Sequence, residues 1–486
     1  MLNYKFLQLS MRENMRNIFL ILGVFAIAVP FILLAFPSGM STNIGAILFI
    51  VMAGVARLYA VQNDAEWTLA LYPILLTVIP SMSKLGISYS LLWMLIFTGY
   101  RLLSITAIPL NAKGFFHRNN VLVGILFFAG FIMSGVNTAF GMVKSDIGSS
   151  LINSLSVFGN LAVFLIVAPL FFSLFLSKSK YGVIAICISI AVAVGFTLFV
   201  LIYGNPIIVT LNENGFSSLY ELNGVEIPFV RTQLAILLSV SMMASYVLAI
   251  RSMSILLRLF SFIFMLVALG ILFWSGSRAG LLAGALALIV YHLVLKPTNP
   301  ETQRTVIVVV LLTIGIAGLI CAFPDVVQAI WSNRWLDLVQ GGISEEPRPE
   351  KWRAGLIQFL HEPIGVGWTF STLEGSCTVF HNDFLAFAVS YGFFGGLAYI
   401  MIFAQIFIAA LKTTKIRDDF TRQMLGAVAL VAVVALALNS MSDHLTAYCP
   451  RFQLCWIIVY IGVSPYMHNH MRIRTQVSAR DTWSES

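Results

Sequence analysis

The sequence predicts an all-α, polytopic membrane protein: a transmembrane helical bundle of about 12–14 spans. Two observations support this fold class. Of the 486 residues, 59% are hydrophobic and only 10% are charged, whereas about a quarter of the residues of a soluble domain are charged. Apolar stretches also recur along the chain at about 17–25 residues, the length that a helix needs to cross the hydrocarbon.

Roughly fourteen stretches are candidate spans by this criterion. They are 17–37, 40–60, 67–81, 86–109, 121–143, 150–176, 181–203, 231–249, 254–274, 279–295, 305–323, 382–411, 423–441 and 452–466. The pair between Trp67 and Leu110 is the weakest, because its first member is short and Lys84 and Gly86 interrupt the second. The first stretch of all lacks a small-x-small cleavage site, so we expect a retained span rather than a signal peptide.

The positive charges predict the orientation of the chain, because lysine and arginine collect on the cytoplasmic side of membrane proteins. With both termini cytoplasmic, most of the 29 lysines and arginines fall inside. The loops 204–230 and 324–380 then lie on the outer face. The net charge of +8 therefore reflects ordinary membrane asymmetry and predicts the lipid bilayer, and no nucleic acid, as a partner.

The loops also divide the chain into three parts. Residues 1–203 form N-terminal transmembrane helices, 204–466 hold both outer loops and form the predicted functional region, and 467–486 form a cytoplasmic tail. The loop 324–380 is too long for a simple connector. Within it, 324–341 has the spacing of an amphipathic interfacial helix, and 348–368 is predicted to be a second short helix that ends at Pro363 and a glycine-rich turn.

Four arginines are candidates for binding a phosphate-bearing lipid. Arg278 lies between two membrane-length stretches, where an arginine is costly unless it reaches water, a counter-ion or an anionic ligand. Arg231 ends the first outer loop, and Arg348 and Arg353 lie in the second. A guanidinium binds phosphate through two parallel hydrogen bonds. The alternative is that these side chains only anchor the protein to lipid headgroups.

Two further features complete the predicted site. Gly280 and Gly284 fit the GxxxG pattern, which lets the helix after Arg278 approach a neighbour closely. His381 begins the stretch that follows the long loop, at a helix N-terminus that disfavours the imidazolium and keeps the ring able to accept a proton. Asn382 or Asp383 could orient it. The alternative for His381 is a structural helix cap.

Three segments in order carry a family resemblance: SGSRAG at 275–280, RPEKWRAGLIQFLHEPIGVGW at 348–368 and HNDFLAFAVSYG at 381–392. Together they resemble the O-antigen ligase and polymerase superfamily of bacterial integral-membrane glycosyltransferases, over roughly residues 231–465. Members carry a functional histidine at the place of His381, and Asn382 also matches. The resemblance implies transfer of a glycan from an undecaprenyl diphosphate carrier to an acceptor hydroxyl at the periplasmic face of the inner membrane.

The resemblance also implies that no metal and no other cofactor takes part, and the sequence contains no CxxC or HExxH metal-ligand spacing. The acceptor is either a glycan, for a repeat-unit polymerase, or the lipid A core, for a ligase. A net negative outer surface disfavours the phosphate-rich lipid A core, so the sequence favours the polymerase. A lipid-linked oligosaccharide flippase is the alternative from another class. The sugar, its linkage, the oligomeric state and a Cys377–Cys449 disulfide stay open.

Overall fold

The computed structural model describes twelve segments of the chain. They are residues 118–139, 179–208, 216–222, 225–228, 231–295, 300–307, 348–366, 372–373, 376–377, 382–416, 419–441 and 454–464. The predicted spans 17–37, 40–60, 67–81, 86–109 and 150–176, nearly all of 305–323, and the amphipathic segment 324–341 lie outside the described residues.

The described part of the chain is mainly helical. Its helices are α1 (Arg118–Ala139), α2 (Ser179–Tyr203), α3 (Arg231–Arg251), α4 (Ile255–Trp274), α5 (Arg278–Val294), α6 (300–307), α7 (Arg348–His361), α8 (Asp383–Thr414), α9 (Phe420–Ser440) and α10 (Leu454–Ser464). Five of them, α2, α3, α4, α8 and α9, are long and apolar enough to cross a membrane, and α1, α5 and α10 contain shorter apolar helices. The predicted all-α, polytopic fold class is confirmed.

Helix α9 packs against α2, α3, α5 and α8. Its middle, GAVALVAVVAL, consists of small and medium side chains that are almost all buried. Gly426 lies against Thr413 of α8, and Ala429 lies against Gly462 of α10. Helices in lipid gain little from the hydrophobic effect, so such close backbone approach stabilises the bundle through dispersion.

The predicted GxxxG contact of α5 is confirmed, and its partner is α3. A Cβ atom on Gly280 would lie 2.9 Å from the Cβ of Ala235, and one on Gly284 would meet the methyl group of Met242. Since the contacts advance along both helices in the same order, α3 and α5 run in the same direction. Their first residues, Arg231 and Arg278, therefore lie at the same end of the bundle, which we call the site end.

The end of α9 and the start of the membrane-length part of α8 also lie at the site end. Asn439, near the end of α9, donates from Nδ2 to Ser239 Oγ (2.9 Å) in the first half of α3. The end of α9 therefore lies toward the site end. Helices α8 and α9 form a hairpin closed at residues 415–419, so the membrane-length part of α8 starts at the site end too.

A buried polar cluster joins α3, α5 and α6 at the opposite end. Arg251 Nε donates to the Tyr291 hydroxyl (2.9 Å) and lies 3.4 Å from Glu301 Oε1. Nearby, the Tyr246 hydroxyl and His292 Nε2 are hydrogen-bonded at 2.8 Å. A buried arginine requires such partners, because an unpaired charge in a low-dielectric interior is strongly disfavoured.

Helix α8 is divided at Gly392, where the sequence predicted one uninterrupted span over 382–411. Gly392 has φ 68° and ψ −168°, a conformation that is essentially restricted to glycine. The first part, 383–391, folds back along the second: the rings of Phe387 and Tyr399 stack at 4.2 Å, and those of Phe384 and Phe403 lie 5.4 Å apart. In a straight helix, residues 12 to 19 positions apart would be about 18–28 Å apart.

Short strands lie in both loops, and the sequence analysis did not predict them. In the first loop, β1 (Asn205–Pro206), β2 (Leu219–Leu222) and β3 (Val225–Pro228) form an antiparallel sheet in that order, with Tyr220 opposite Ile227. In the second loop, β4 (Thr372–Leu373) pairs with β5 (Ser376–Cys377). The sheet of the first loop connects α2 to α3 at the site end.

Candidate active site

Arg278 is the first residue of α5 and follows a sharp corner. The residues of SGS close α4 with a glycine cap: Gly276, at φ 64°, donates its N–H to Phe273 O (3.0 Å), and Ser277 donates to Leu272 O (3.4 Å). This pattern ends a helix in a left-handed glycine. Helix α5 starts at the next residue, so Arg278, which is half-buried, sits where the helix dipole and free backbone N–H groups favour an anion.

Arg231 occupies the equivalent position of α3. It starts a helix that runs parallel to α5 and packs on it through Ala235 and Gly280. Two helix N-termini, each with an arginine as its first residue, therefore face the same side of the bundle. Only the backbone of Arg231 is described, so its part in binding stays a prediction.

The strands of the first loop cover the corner between α4 and α5. Phe216 is buried, and its ring meets the ring of Trp274, the last residue of α4, at 5.7 Å in an edge-to-face arrangement. Tyr220 of β2 is also buried and contacts Phe216. Burial raises the pKa of the Tyr220 phenol, which therefore stays protonated. This aromatic packing fixes the backbone just before Arg278.

The start of α8 is held by two side chains that the sequence analysis singled out. Asn382 caps the helix, since its Oδ1 accepts a hydrogen bond from Leu385 N (3.1 Å). Asp383 is only 1% exposed, and its Oδ2 accepts a hydrogen bond from the Tyr399 hydroxyl at 3.3 Å. His381, the predicted base, lies outside the described residues. Its role, and the orienting roles of Asn382 and Asp383, stay predictions.

The start of α8 lies inside the bundle and not at its surface. Asp383 contacts Tyr399, which is six residues beyond Phe393, and Phe384 contacts Phe403, which is ten residues beyond it. At 1.5 Å per residue, these contacts are roughly 9–15 Å from the point where the second part of α8 starts. Asp383, which is only 1% exposed, is therefore enclosed by protein at the start of α8.

Helix α7 carries the remaining arginines and is attached to α8. It starts at Arg348, as predicted, and ends at His361, two residues before Pro363; Arg353 is exposed on its second turn. Phe359 packs against Ala386 and Val389 of α8. The structure thus joins the segment 348–366 to the segment 382–392. The side chain of Arg348 is not described.

The turn after α7 inserts its backbone into the break of α8. In a continuous helix, Phe393 N–H would donate to Val389 O. Here Phe393 N–H donates to Pro363 O (2.9 Å), and Val389 O accepts from Val366 N–H (3.0 Å). The turn therefore supplies both partners that the break removes, and buried backbone groups stay paired.

The sequence analysis did not identify two of these features. The sequence around Tyr399 does not mark it as a site residue, because its contact with Asp383 depends on the fold-back of α8. The sequence analysis placed Gly365 only in a glycine-rich turn and Gly392 only at the end of the segment 381–392, and their pairing is long-range. Covariation between them is the signal that would have identified it.

These features define a class: a multi-pass helical membrane protein with arginine-bearing helix N-termini and a folded-back helix start at one end of the bundle. Residues 260–400 match the O-antigen ligase family model. This match confirms the resemblance and supports membership of the chain in the O-antigen ligase and polymerase superfamily. It runs from α4 to the middle of α8 and includes Arg278, Arg348, Arg353 and His381, but not Arg231. No curated protein matches the chain.

Proposed function

We propose that this protein is a membrane glycosyltransferase that moves a glycan from undecaprenyl diphosphate to an acceptor hydroxyl at the periplasmic face of the bacterial inner membrane. The family match supports an O-antigen ligase-type function. Polymerisation of polysaccharide repeat units is the reaction that we favour, since the predicted outer surface is net negative. Attachment to the lipid A core is the alternative.

The reaction needs few groups, because a sugar diphosphate is already activated. The acceptor oxygen attacks the anomeric carbon, the bond from that carbon to the diphosphate oxygen breaks, and undecaprenyl diphosphate leaves with the electron pair. His381 takes the proton of the acceptor hydroxyl. Arg278 and Arg231 bind the diphosphate and stabilise the negative charge that grows on it, and Arg348 and Arg353 extend this positive surface.

One observation carries the proposal: the three segments of the family resemblance are connected in space. Arg278 starts α5, α5 and α8 both pack against α9, and α7 is hydrogen-bonded into the break of α8. The N-terminus of α5, which carries Arg278, and the helix start that follows His381 therefore belong to one packed unit. This arrangement supports an enzyme in which arginines bind the diphosphate of the donor and a base acts on the acceptor hydroxyl.

A deletion strain distinguishes polymerase from ligase. Loss of the lipopolysaccharide ladder beyond one repeat unit indicates the polymerase. Loss of all attached repeats, with accumulation of long lipid-linked chains, indicates the ligase. The sidedness is tested by reporter fusions, which should be periplasmic after Glu345 and cytoplasmic after Arg417. A cytoplasmic signal after Glu345 would contradict the periplasmic site.

Among the described residues, the division of α8 at Gly392 is a feature that favours the transporter alternative, because secondary transporters build their sites from broken helices. Purified protein, assayed once in detergent and once in liposomes, separates the two functions. A transferase converts lipid-linked donor and acceptor to a longer or transferred glycan in detergent, where no compartment exists. A flippase moves the donor between leaflets and forms no new glycosidic bond.

A further inference from the structure

Helix α7 exposes an apolar face that surrounds a single arginine. This lipid face, as we call it, consists of Trp352, Arg353, Leu356, Ile357 and Leu360. Leu360 is 69% exposed and Leu356 is 52% exposed. We propose that α7 lies in the lipid–water boundary of the membrane, with its lipid face against phospholipid acyl chains and Arg353 at the level of the phosphates.

The spacing gathers these side chains on one side of the helix. Trp352, Leu356 and Leu360 are four residues apart and lie one above the other, and Arg353 is three and four residues before Leu356 and Ile357. Four large apolar side chains on one face of a 14-residue helix would form a continuous patch in water. Such patches mark contact with lipid or with another protein.

The face is not the one that α7 uses for packing. Gly355, which is buried, lies on the side of the helix away from Ile357 and Leu360. Phe359 lies at the edge between that side and the lipid face, where it meets Ala386 and Val389 of α8. Helix α7 therefore has a protein-packed side and an unpacked apolar side, as expected of a helix that lies in an interface plane.

The turn that follows α7 sets the position of α7 relative to the membrane surface. This turn is hydrogen-bonded to Phe393 and Val389, at the point where the second part of α8 starts. That part, 393–414, has the length of a membrane span. Phe393 is 56% exposed, and Phe394 and Ile364 are exposed beside it. The apolar surface of a spanning helix thus continues onto the end of α7, so the same bilayer covers both.

Arg353 fits this position. In a bilayer interface, an arginine extends its apolar stem along lipid and places its guanidinium among headgroup phosphates. Basic residues close to a membrane strengthen attachment to anionic lipids. Arg353, set among four apolar side chains, therefore points to a bilayer that contains anionic phospholipid as the occupant of the lipid face.

The test places an environment-sensitive fluorophore on the full-length protein, in nanodiscs of phosphatidylethanolamine and phosphatidylglycerol. Single cysteines at Leu356 and Leu360, in a background without the native cysteines, are compared with a control cysteine at Glu221, an exposed polar position of β2 in the first loop. We expect labels at 356 and 360 to be quenched by lipids with spin labels on their acyl chains and protected from iodide. The control should show the reverse.

Two outcomes would overturn the proposal. Quenching at 356 and 360 by iodide and not by lipid would place the face in water. Protection from both quenchers would mean that another part of this chain, or a second copy, covers it. A label-free measurement avoids dependence on the labelled variants: brominated lipids should quench part of the emission of the nine tryptophans, and Trp352→Phe should make that quenched part smaller. Unchanged lipid quenching in Trp352→Phe counts against the proposal.

Discussion

Gly365 and Gly392 lie at a backbone-to-backbone contact that leaves no room for a Cβ atom on either residue. A Cβ atom on Gly365 would collide with the backbone N of Gly392, and a Cβ atom on Gly392 would collide with the carbonyl group of Ile364. Both residues have positive φ, 97° and 68°. This contact seats the turn after α7 in the break of α8, so it fixes the segment that carries Arg353 relative to the helix start at Asp383.

Gly392→Ala should therefore destabilise the site end. The backbone conformation alone costs a non-glycine residue about 1–3 kcal/mol, and the collision adds to it. We expect a lower melting temperature in detergent and a strong loss of transfer. The matched control is Gly270→Ala in α4, because a Cβ atom there meets nothing within 4 Å and alanine is the better helix former. Equal stability of the two variants would contradict a stabilising role for the contact between Gly365 and Gly392.

Tyr399→Phe should lower turnover and leave donor binding unchanged. The change removes the hydroxyl that donates to Asp383 but keeps the ring that stacks on Phe387. A buried carboxylate that loses a donor shifts or loses its position, and the helix start near His381 shifts with it. We expect a fall in kcat of about tenfold, equivalent to about 1.4 kcal/mol, at constant KM for the lipid-linked donor.

Tyr246→Phe is the control for this prediction. It removes a hydroxyl that is hydrogen-bonded to His292 at 2.8 Å, at the opposite end of the bundle. Both variants thus lose one hydrogen bond of a buried tyrosine, and they differ in the end of the bundle at which that bond lies. If both variants lose the same fraction of kcat, the effect of Tyr399→Phe is one of general stability and not of position.

Arg278→Ala should abolish transfer, and Arg278→Lys should recover only part of it, because an ammonium group cannot make the two-pronged phosphate contact. Donor binding to the purified variants should weaken in the same order. Arg258→Ala on α4 is the comparison, since Arg258 is half-buried at the opposite end, where its Nη2 donates to Met253 O (3.2 Å). Full transfer by Arg278→Ala at normal protein levels would make Arg278 a lipid anchor only.

Metal independence gives a prediction that needs no variant. Arginines supply the positive charge that divalent ions provide in many other glycosyl transfers, so transfer should persist in excess chelator. The measurement compares initial rates with and without chelator. A loss of activity that added Mg²⁺ or Mn²⁺ restores would contradict the mechanism.

Local features of the structure were predictable from the sequence. The helices around Arg278 start and end within one or two residues of the predicted bounds, because membrane-length apolar stretches are interrupted there by SGS. The end of α7 near Pro363 followed from proline's missing N–H and fixed φ. The close contact of Gly280 followed from the GxxxG spacing, although its partner Ala235 did not.

Long-range features were not predictable. The apolar stretch that starts at Asn382 has no proline, and no charge between Asp383 and its end, to mark a break. Gly392 adopts positive φ because the turn at Gly365 supplies the missing hydrogen bonds. The pairing of Asp383 with Tyr399 depends on that break. The strands β1–β3 are short and lack the alternating pattern that predicts a half-buried sheet. Each depends on contacts between distant parts of the chain.

We propose that His381 takes the proton of the acceptor hydroxyl. The single-turnover rate and the donor affinity of purified His381→Ala test this role directly. We expect near-normal binding of the lipid-linked donor, because the arginines are intact. The single-turnover rate should be lower than that of the wild type by about two to four orders of magnitude. The wild-type rate should fall as the pH falls through about 6.5, where histidine ordinarily gains its proton. His361→Ala, at the exposed end of α7, should keep the wild-type rate. A near-normal rate for His381→Ala, or a loss of donor binding in its place, would contradict the claim.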